Sequence, residues 1–164
     1  MFRDLKSEEI DVRVQSINEK GAVLLLYKDA RADMIVLDET VGPMNWKREH
    51  KRDNANCILS LWDEKKQQWI SKEDTGTESF TEKEKGLASD SFKRAAFNWG
   101  IGRELYTGPF IWIKNEGDFK SKSGDKYYTY TKFHVEAIQI TDKKITAIAI
   151  KDNKGKRRFS WKLK

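Results

Sequence analysis

The feature that most constrains this chain lies between Trp46 and Tyr106, where three strand-like runs lead directly into one long amphipathic helix. Trp46, Arg48, His50 and Arg52 alternate with Lys47, Glu49 and Lys51, the period of a strand. The run NCILSLWD is more apolar and reads as the central strand, and QQWISKEDTG closes the set, with Asp63 to Lys66 as the intervening hairpin turn. Three such runs in succession predict an antiparallel meander. The following segment, TEKEKGLASDSFKRAAFNWGIGRELY, opens on a capping box at Thr81 and Glu84. Ala88, Phe92, Ala95, Ala96 and Trp99 fall on one helical stripe, while Asp90, Lys93, Arg94 and Phe97 fall on the opposite one. Gly100 and Gly102 end or bend the helix. The predicted fold class is α+β: a β-β-β-α core, an antiparallel meander with a packed helix, plus a C-terminal β-hairpin region.

The flanks follow the same logic. IDVRVQSI alternates as a strand, Glu19-Lys20-Gly21 is a turn, and AVLLLY reads as a buried strand. In DARADMIVLDETVG the period changes, and Ala30, Met34, Leu37 and Val41 define an apolar helix face, with Asp29 as the cap and Gly42-Pro43 as the stop. FIWI, YYTYTKFHVEAIQI, KITAIAI and RRFSWKL read as strands, Asn115 to Asp125 as a polar loop, and Asp152 to Gly155 as a hairpin turn. Without a repeat or a low-complexity linker, residues 1–164 are expected to form a single domain with a β-rich extension over 110–164.

Aromatic residues make up 12% of the chain, which argues for a folded protein despite 35% charged residues. The lone Cys57, in the apolar run NANCILSLW, reads as a small core residue. MFRDLKSEEIDV has no apolar stretch of signal-peptide length and no run approaches a membrane span, so a cytoplasmic location and no membrane partner are expected. The net charge is +6, yet the segment from Lys143 to Lys164 alone carries nine basic residues against Asp152. Lys156, Arg157 and Arg158 there are interleaved with Phe159 and Trp161, a pattern that points to a phosphate-facing surface. Its competing reading is a solvated terminus that serves solubility.

Motifs for catalysis are sparse. His50 and His134 sit singly in strand patterns, and the chain has no GxSxG, no GxxxxGK[ST] and no HExxH. The acid pairs Asp63-Glu64 and Glu73-Asp74 leave a metal-dependent nuclease open, since Mg²⁺ needs only one or two carboxylates plus phosphate. Nucleic-acid signals are denser. Lys93 and Arg94 are adjacent cations on a rigid helix, facing away from its core stripe, and Phe97 follows one turn later as a candidate stacking surface or subunit contact.

Two stretches, ARADMIVLDETVGPMNW and KGLASDSFKRAAFNWGIGRELY, resemble the Rad-fifty-two-type single-strand annealing proteins, in particular short phage Sak-like and bacterial DdrA-like members. The residues that carry the likeness are Gly42, Trp46, Ser89, Asp90, Lys93, Arg94, Ala95, Trp99 and Gly100, within a core of about 29–106. The resemblance implies no enzymatic turnover; no cofactor and no metal-ligating residues are expected. It also implies assembly into rings or helical filaments, with single-stranded DNA lying in a basic groove around the ring, bases exposed, and Lys93, Arg94 and Arg31 lining that groove. Arg48, Arg52, Phe97, Lys156, Arg157 and Arg158 complete the candidate DNA-binding set. The expected activity is ATP-independent annealing of complementary strands in phage homologous recombination and repair, within the bacterial host cytoplasm. A recombination exonuclease and a single-strand binding protein are the candidate partners, and a non-annealing nucleic-acid coating module is the first alternative.

Overall fold

The computed structural model describes residues 1–77, 83–124 and 126–164, apart from the side chains of 83–85. The capping box read at Thr81 and Glu84 therefore lies outside the described residues. The fold is α+β and its strand ladders are antiparallel. The chain forms two compact units. The first comprises Met1–Leu5 and Lys28–Arg103, the second Lys6–Tyr27 and Glu104–Lys164. The second unit's strands are β1 (Asp11–Ile17), β2 (Gly21–Tyr27) and, after the whole of the first unit, six more.

The first unit contains α1 (Ala30–Val41), β3 (Trp46–Lys51), β4 (Asn56–Asp63), β5 (Gln68–Thr75) and α2 (Lys83–Asn98). The strands form a sheet in the order β3-β4-β5, the predicted meander. Asp63 closes the second hairpin by accepting from the amides of Lys65 and Lys66. Alternation in register sends Trp46, Arg48 and His50 of β3 to the same face as Leu61, Leu59 and Cys57 of β4. This face receives α2, whose Phe92, Ala95 and Ala96 are fully buried. The approach is tight at Gly76, where a Cβ would sit 2.7 Å from the Ser91 amide nitrogen of α2, so only glycine fits. The helix ends in a Schellman arrangement: Ile101 N–H donates to Ala96 O (3.2 Å) and Gly100 N–H to Phe97 O (2.9 Å), with Gly100 at φ 100°.

On α1, Asp29 caps as predicted, accepting from the amides of Arg31 and Ala32. The buried face differs from the predicted Ala30–Met34–Leu37–Val41 stripe; it is Ala32, Asp33, Val36 and Leu37. Asp33 is responsible, because its fully buried carboxylate is ion-paired with the Lys28 ammonium, itself 8% exposed. Lys28 Nζ also reaches the Lys93 carbonyl on α2 (3.5 Å). Cys57 is in the core as expected, its thiol pushed up to about 11 by burial.

The second unit adds β6 (Ile111–Lys114), β7 (Lys120–Ser123), β8 (Lys126–Tyr128), β9 (Phe133–Thr141), β10 (Lys144–Asp152) and β11 (Arg157–Lys162). Six strands pair in the order β11-β10-β9-β1-β2-β6, and β11 lies against β6, so the sheet is nearly a closed barrel. Leu24, Ile113, Phe119, Phe133, Ile145, Ile148 and Ile150 fill its interior. β7 and β8 form a separate two-stranded hairpin within the stretch expected as a polar loop and the start of the next strand. The predicted run YYTYTKFHVEAIQI is thus split into β8 and β9. Thr129 and Thr131 break it by donating their hydroxyls to the Asp118 carbonyl (3.0 Å) and carboxylate (2.7 Å), which competes with ladder pairing. Among the described residues, no helix is long and apolar enough to cross a membrane.

The Lys28–Asp33 pair yields a prediction with a definite pH sign. Burial pushes the Asp33 carboxyl up to about 6, with Lys28 opposing. The folded chain therefore takes up this proton before the unfolded chain does, and the group adds stability as pH falls from about 6 toward its ordinary 3.8. Lys28→Met should cost about 3–5 kcal/mol at pH 7.5, because it strands a buried carboxylate. The cost should shrink at pH 5, and Lys28→Met/Asp33→Leu should recover most of it. Urea denaturation of the three proteins at both pH values checks this.

Candidate nucleic-acid interface

The outward side of α2 begins with Asp90, which organises its neighbours. Its Oδ2 accepts from the Thr77 amide (2.9 Å), the Thr77 hydroxyl (3.2 Å) and Arg94 Nε (2.9 Å). Burial raises this carboxyl, but the Thr77 amide, the Arg94 guanidinium and the nearby Lys93 charge together hold it below its ordinary value. Lys93 is half-buried and Arg94 exposed. Lys93 forms no ion pair among the described residues. The Arg94–Asp90 pair is an exposed i,i+4 contact of the kind worth only about 0.3–0.5 kcal/mol, weak enough for a phosphate to compete for the guanidinium.

Phe97 is half-buried, with the Arg103 guanidinium 5.5 Å from its ring centroid. Arg103 also donates to the Phe97 and Asn98 carbonyls (both 2.8 Å), and Lys72 Nζ donates to Asn98 O (2.8 Å). These two cations satisfy the last carbonyls of α2, where the helix dipole is negative. Neither was among the residues singled out from sequence. For Arg103 the available signal was a cation just beyond a glycine-terminated helix; for Lys72 there was none, since its partner is 26 residues away.

The other sequence candidates of this unit lie elsewhere. Arg31 is on the first turn of α1, 83% exposed and paired with the capping Asp29 (3.0 Å). Arg48 is an exposed residue on the α2-facing side of β3, its guanidinium 4.5 Å from the ring centroid of Phe92. Arg52 is exposed in the β3–β4 turn at φ 52°, next to Asp53 and Asn54, which also have positive φ. Lys93, Arg94 and Phe97 are thus gathered on one helix, while Arg31, Arg48 and Arg52 are distributed around it.

The second unit holds the three tail candidates, Lys156, Arg157 and Arg158. Arg158 is only 3% exposed and is held inside the protein, not presented to a phosphate. It bonds Asp118 (2.9 and 3.1 Å), Asp152 (3.3 Å) and the Lys114 carbonyl (3.0 Å), and lies 5.6 Å from the Phe133 ring centroid. Arg157 is bidentate on Glu136 (2.6 and 3.0 Å), and Lys156 pairs with Glu116 (2.7 Å). Three of the nine basic residues along 143–164 thus have carboxylate partners, Lys156 and Arg157 in exposed pairs and Arg158 in a buried cluster. Burial alone raises the Asp118 carboxyl, but Arg158, the Thr131 hydroxyl and the Glu116 amide hold it well below the usual carboxylate range.

The acid pairs considered for a metal are also engaged in the fold. Asp63 caps its turn, and Glu64 accepts from the Trp62 indole. Glu73 accepts from the Asn56 amide, and Asp74 from the Asn98 amide (3.0 Å). Adjacent on β5, Glu73 and Asp74 point to opposite faces of the sheet. His50 contacts the Ser91 hydroxyl (3.4 Å), and its imidazole is lowered by burial and by Arg48. No family model, curated protein or solved structure matches the chain.

Arg158 should behave as a structural residue. Arg158→Gln leaves two carboxylates unpaired beside the barrel seam and should cost about 3–5 kcal/mol at pH 7. Asp118 is depressed in the fold, so its contribution is complete above its ordinary 3.8 and is lost as pH falls below that. The gap between wild type and variant should therefore narrow at pH 3, which urea melts at the two pH values would reveal.

Proposed function

We propose that this chain binds single-stranded DNA and anneals complementary strands without nucleotide, as a homo-oligomer serving homologous recombination. The observation that carries the reading is the outward side of α2, where Lys93 and Arg94 project from a helix that is locked by Phe92 and the Schellman turn. Adjacent cations on a rigid element bind a phosphate backbone without reading sequence and leave bases free to pair. Pairing is itself downhill by roughly 1.4 kcal/mol per step, so the protein needs only to hold strands extended and release the duplex.

Two further observations support the reading. The stretches resembling the annealing proteins, up to Arg103, lie in the same compact unit, formed by Met1–Leu5 and Lys28–Arg103. The sheet of that unit ends on β3 at one side and β5 at the other, and open strand edges of this kind favour association between copies.

A fluorescence assay with two labelled complementary oligonucleotides, free of nucleotide, tests the proposal. Wild type should accelerate annealing. Lys93→Ala/Arg94→Ala should keep the wild-type melting profile and bind single strands more weakly, with the slope of log affinity against log salt reduced by about 1.4, roughly 0.7 per lost phosphate contact. Binding without annealing would instead indicate a coating module, and shortened strands a nuclease.

A further inference from the structure

We infer that the β7–β8 hairpin of the second unit is a single-strand contact in its own right, with lysines on phosphates and Tyr130 stacked on a base. The inference rests on the proposed function for its ligand class, and it assigns that ligand to residues other than those of α2. From Lys120 to Lys132 four lysines stand against one acid, Asp125, in the sequence. Lys120, Lys122, Lys126 and Lys132 are all exposed, and among the described residues none forms an ion pair. They contrast with Lys156, Arg157 and Arg158 of the same unit, all neutralised by carboxylates.

The hairpin is built to hold these groups outward. Phe119 before it and Phe133 after it are buried in the barrel, and Tyr127 packs against the same core. Thr129 and Thr131 tie its exit to Asp118, which Arg158 holds. Lys120 stands opposite Tyr128 in the register, and Lys126 shares the Tyr128 side of β8 by alternation, away from Tyr127. Tyr128 in turn meets Tyr130 edge to face, with ring centroids 5.3 Å apart, and Tyr130 is 76% exposed. Unpaired cations beside an exposed, braced aromatic ring are the combination that single strands use, phosphate on charge and base on ring. A lipid surface is a poorer match, because the hairpin tip is Ser123-Gly124 rather than an apolar wedge.

The test uses the full chain and an oligothymidylate. Lys120→Gln/Lys122→Gln/Lys126→Gln should lower affinity and reduce the salt slope by about 2, roughly 0.7 per contact. Tyr130→Ala should weaken binding by roughly 5- to 100-fold. These side chains lie outside the core, so thermal melts should match wild type. Photo-crosslinking of an iodouridine-substituted oligonucleotide to wild type, read by mass spectrometry, should mark Tyr130 and needs no variant. Wild-type affinity in the hairpin variants, together with no crosslink at Tyr130, would overturn the inference while leaving the α2 reading standing. A weakened lysine variant with an unaffected Tyr130→Ala, and equal competition by polyglutamate, would mean a surface for acidic protein and would also overturn it. Failure of wild type to bind any single strand would overturn both.

Discussion

Phe92 is the contact on which the first unit depends. Its fully buried ring stacks on Trp46 at 6.0 Å and 17° and carries the Arg48 guanidinium at 4.5 Å. Trp46 in turn donates its indole N–H to Asp38 of α1 (2.7 Å), so one aromatic stack joins both helices to the sheet. Truncation of such a ring typically costs about 3–5 kcal/mol, far more than any surface pair in this unit. With Phe92 held against the sheet, the rotation of α2 is set. The next residues, Lys93 and Arg94, follow at about 100° each and leave the buried side.

Charge in this protein has meaning only after the acids are placed. The formal +6 and the basic tail both suggest a C-terminal phosphate surface. In the folded second unit, Glu116, Asp118, Glu136 and Asp152 pair with Lys156, Arg157 and Arg158, and Arg158 becomes a strut at the seam of the barrel. Among the described residues, Lys93 and the hairpin lysines Lys120, Lys122 and Lys126 form no ion pair. The Lys28–Asp33 pair shows the same principle in reverse. A charge that reads as surface in sequence is buried because its counter-charge arrives five residues away with the right geometry.

What was legible beforehand was local. The β3–β5 meander, the Asp29 cap, the Gly42 stop, the Asp63 and Asp152 turns and the core stripe of α2 through Phe92 and Ala96 all depend on residues within a few positions of each other. What was hidden was non-local. Nothing in IDVRVQSI or AVLLLY announces that this N-terminal hairpin pairs with β9 and β6, more than 80 residues on. Arg158 could not be read as buried, because Asp118 lies 40 residues away. The buried face of α1 departs from its apolar period because periodicity counts Asp33 as polar whatever its partner. The β7–β8 hairpin escaped because KSKSGDK has no apolar alternation, its Phe119 and Tyr127 anchors lying just outside that run.

The proposed function requires a single strand on the outward side of α2. Lysine footprinting with and without a saturating oligothymidylate tests it most directly, reading the acylation rate of every lysine in one experiment by mass spectrometry. Lys93 should be protected by the strand, while Lys65 and Lys66, in the β4–β5 turn, should react at unchanged rates. Bound oligonucleotide with Lys93 reacting as it does in the free protein would contradict the account.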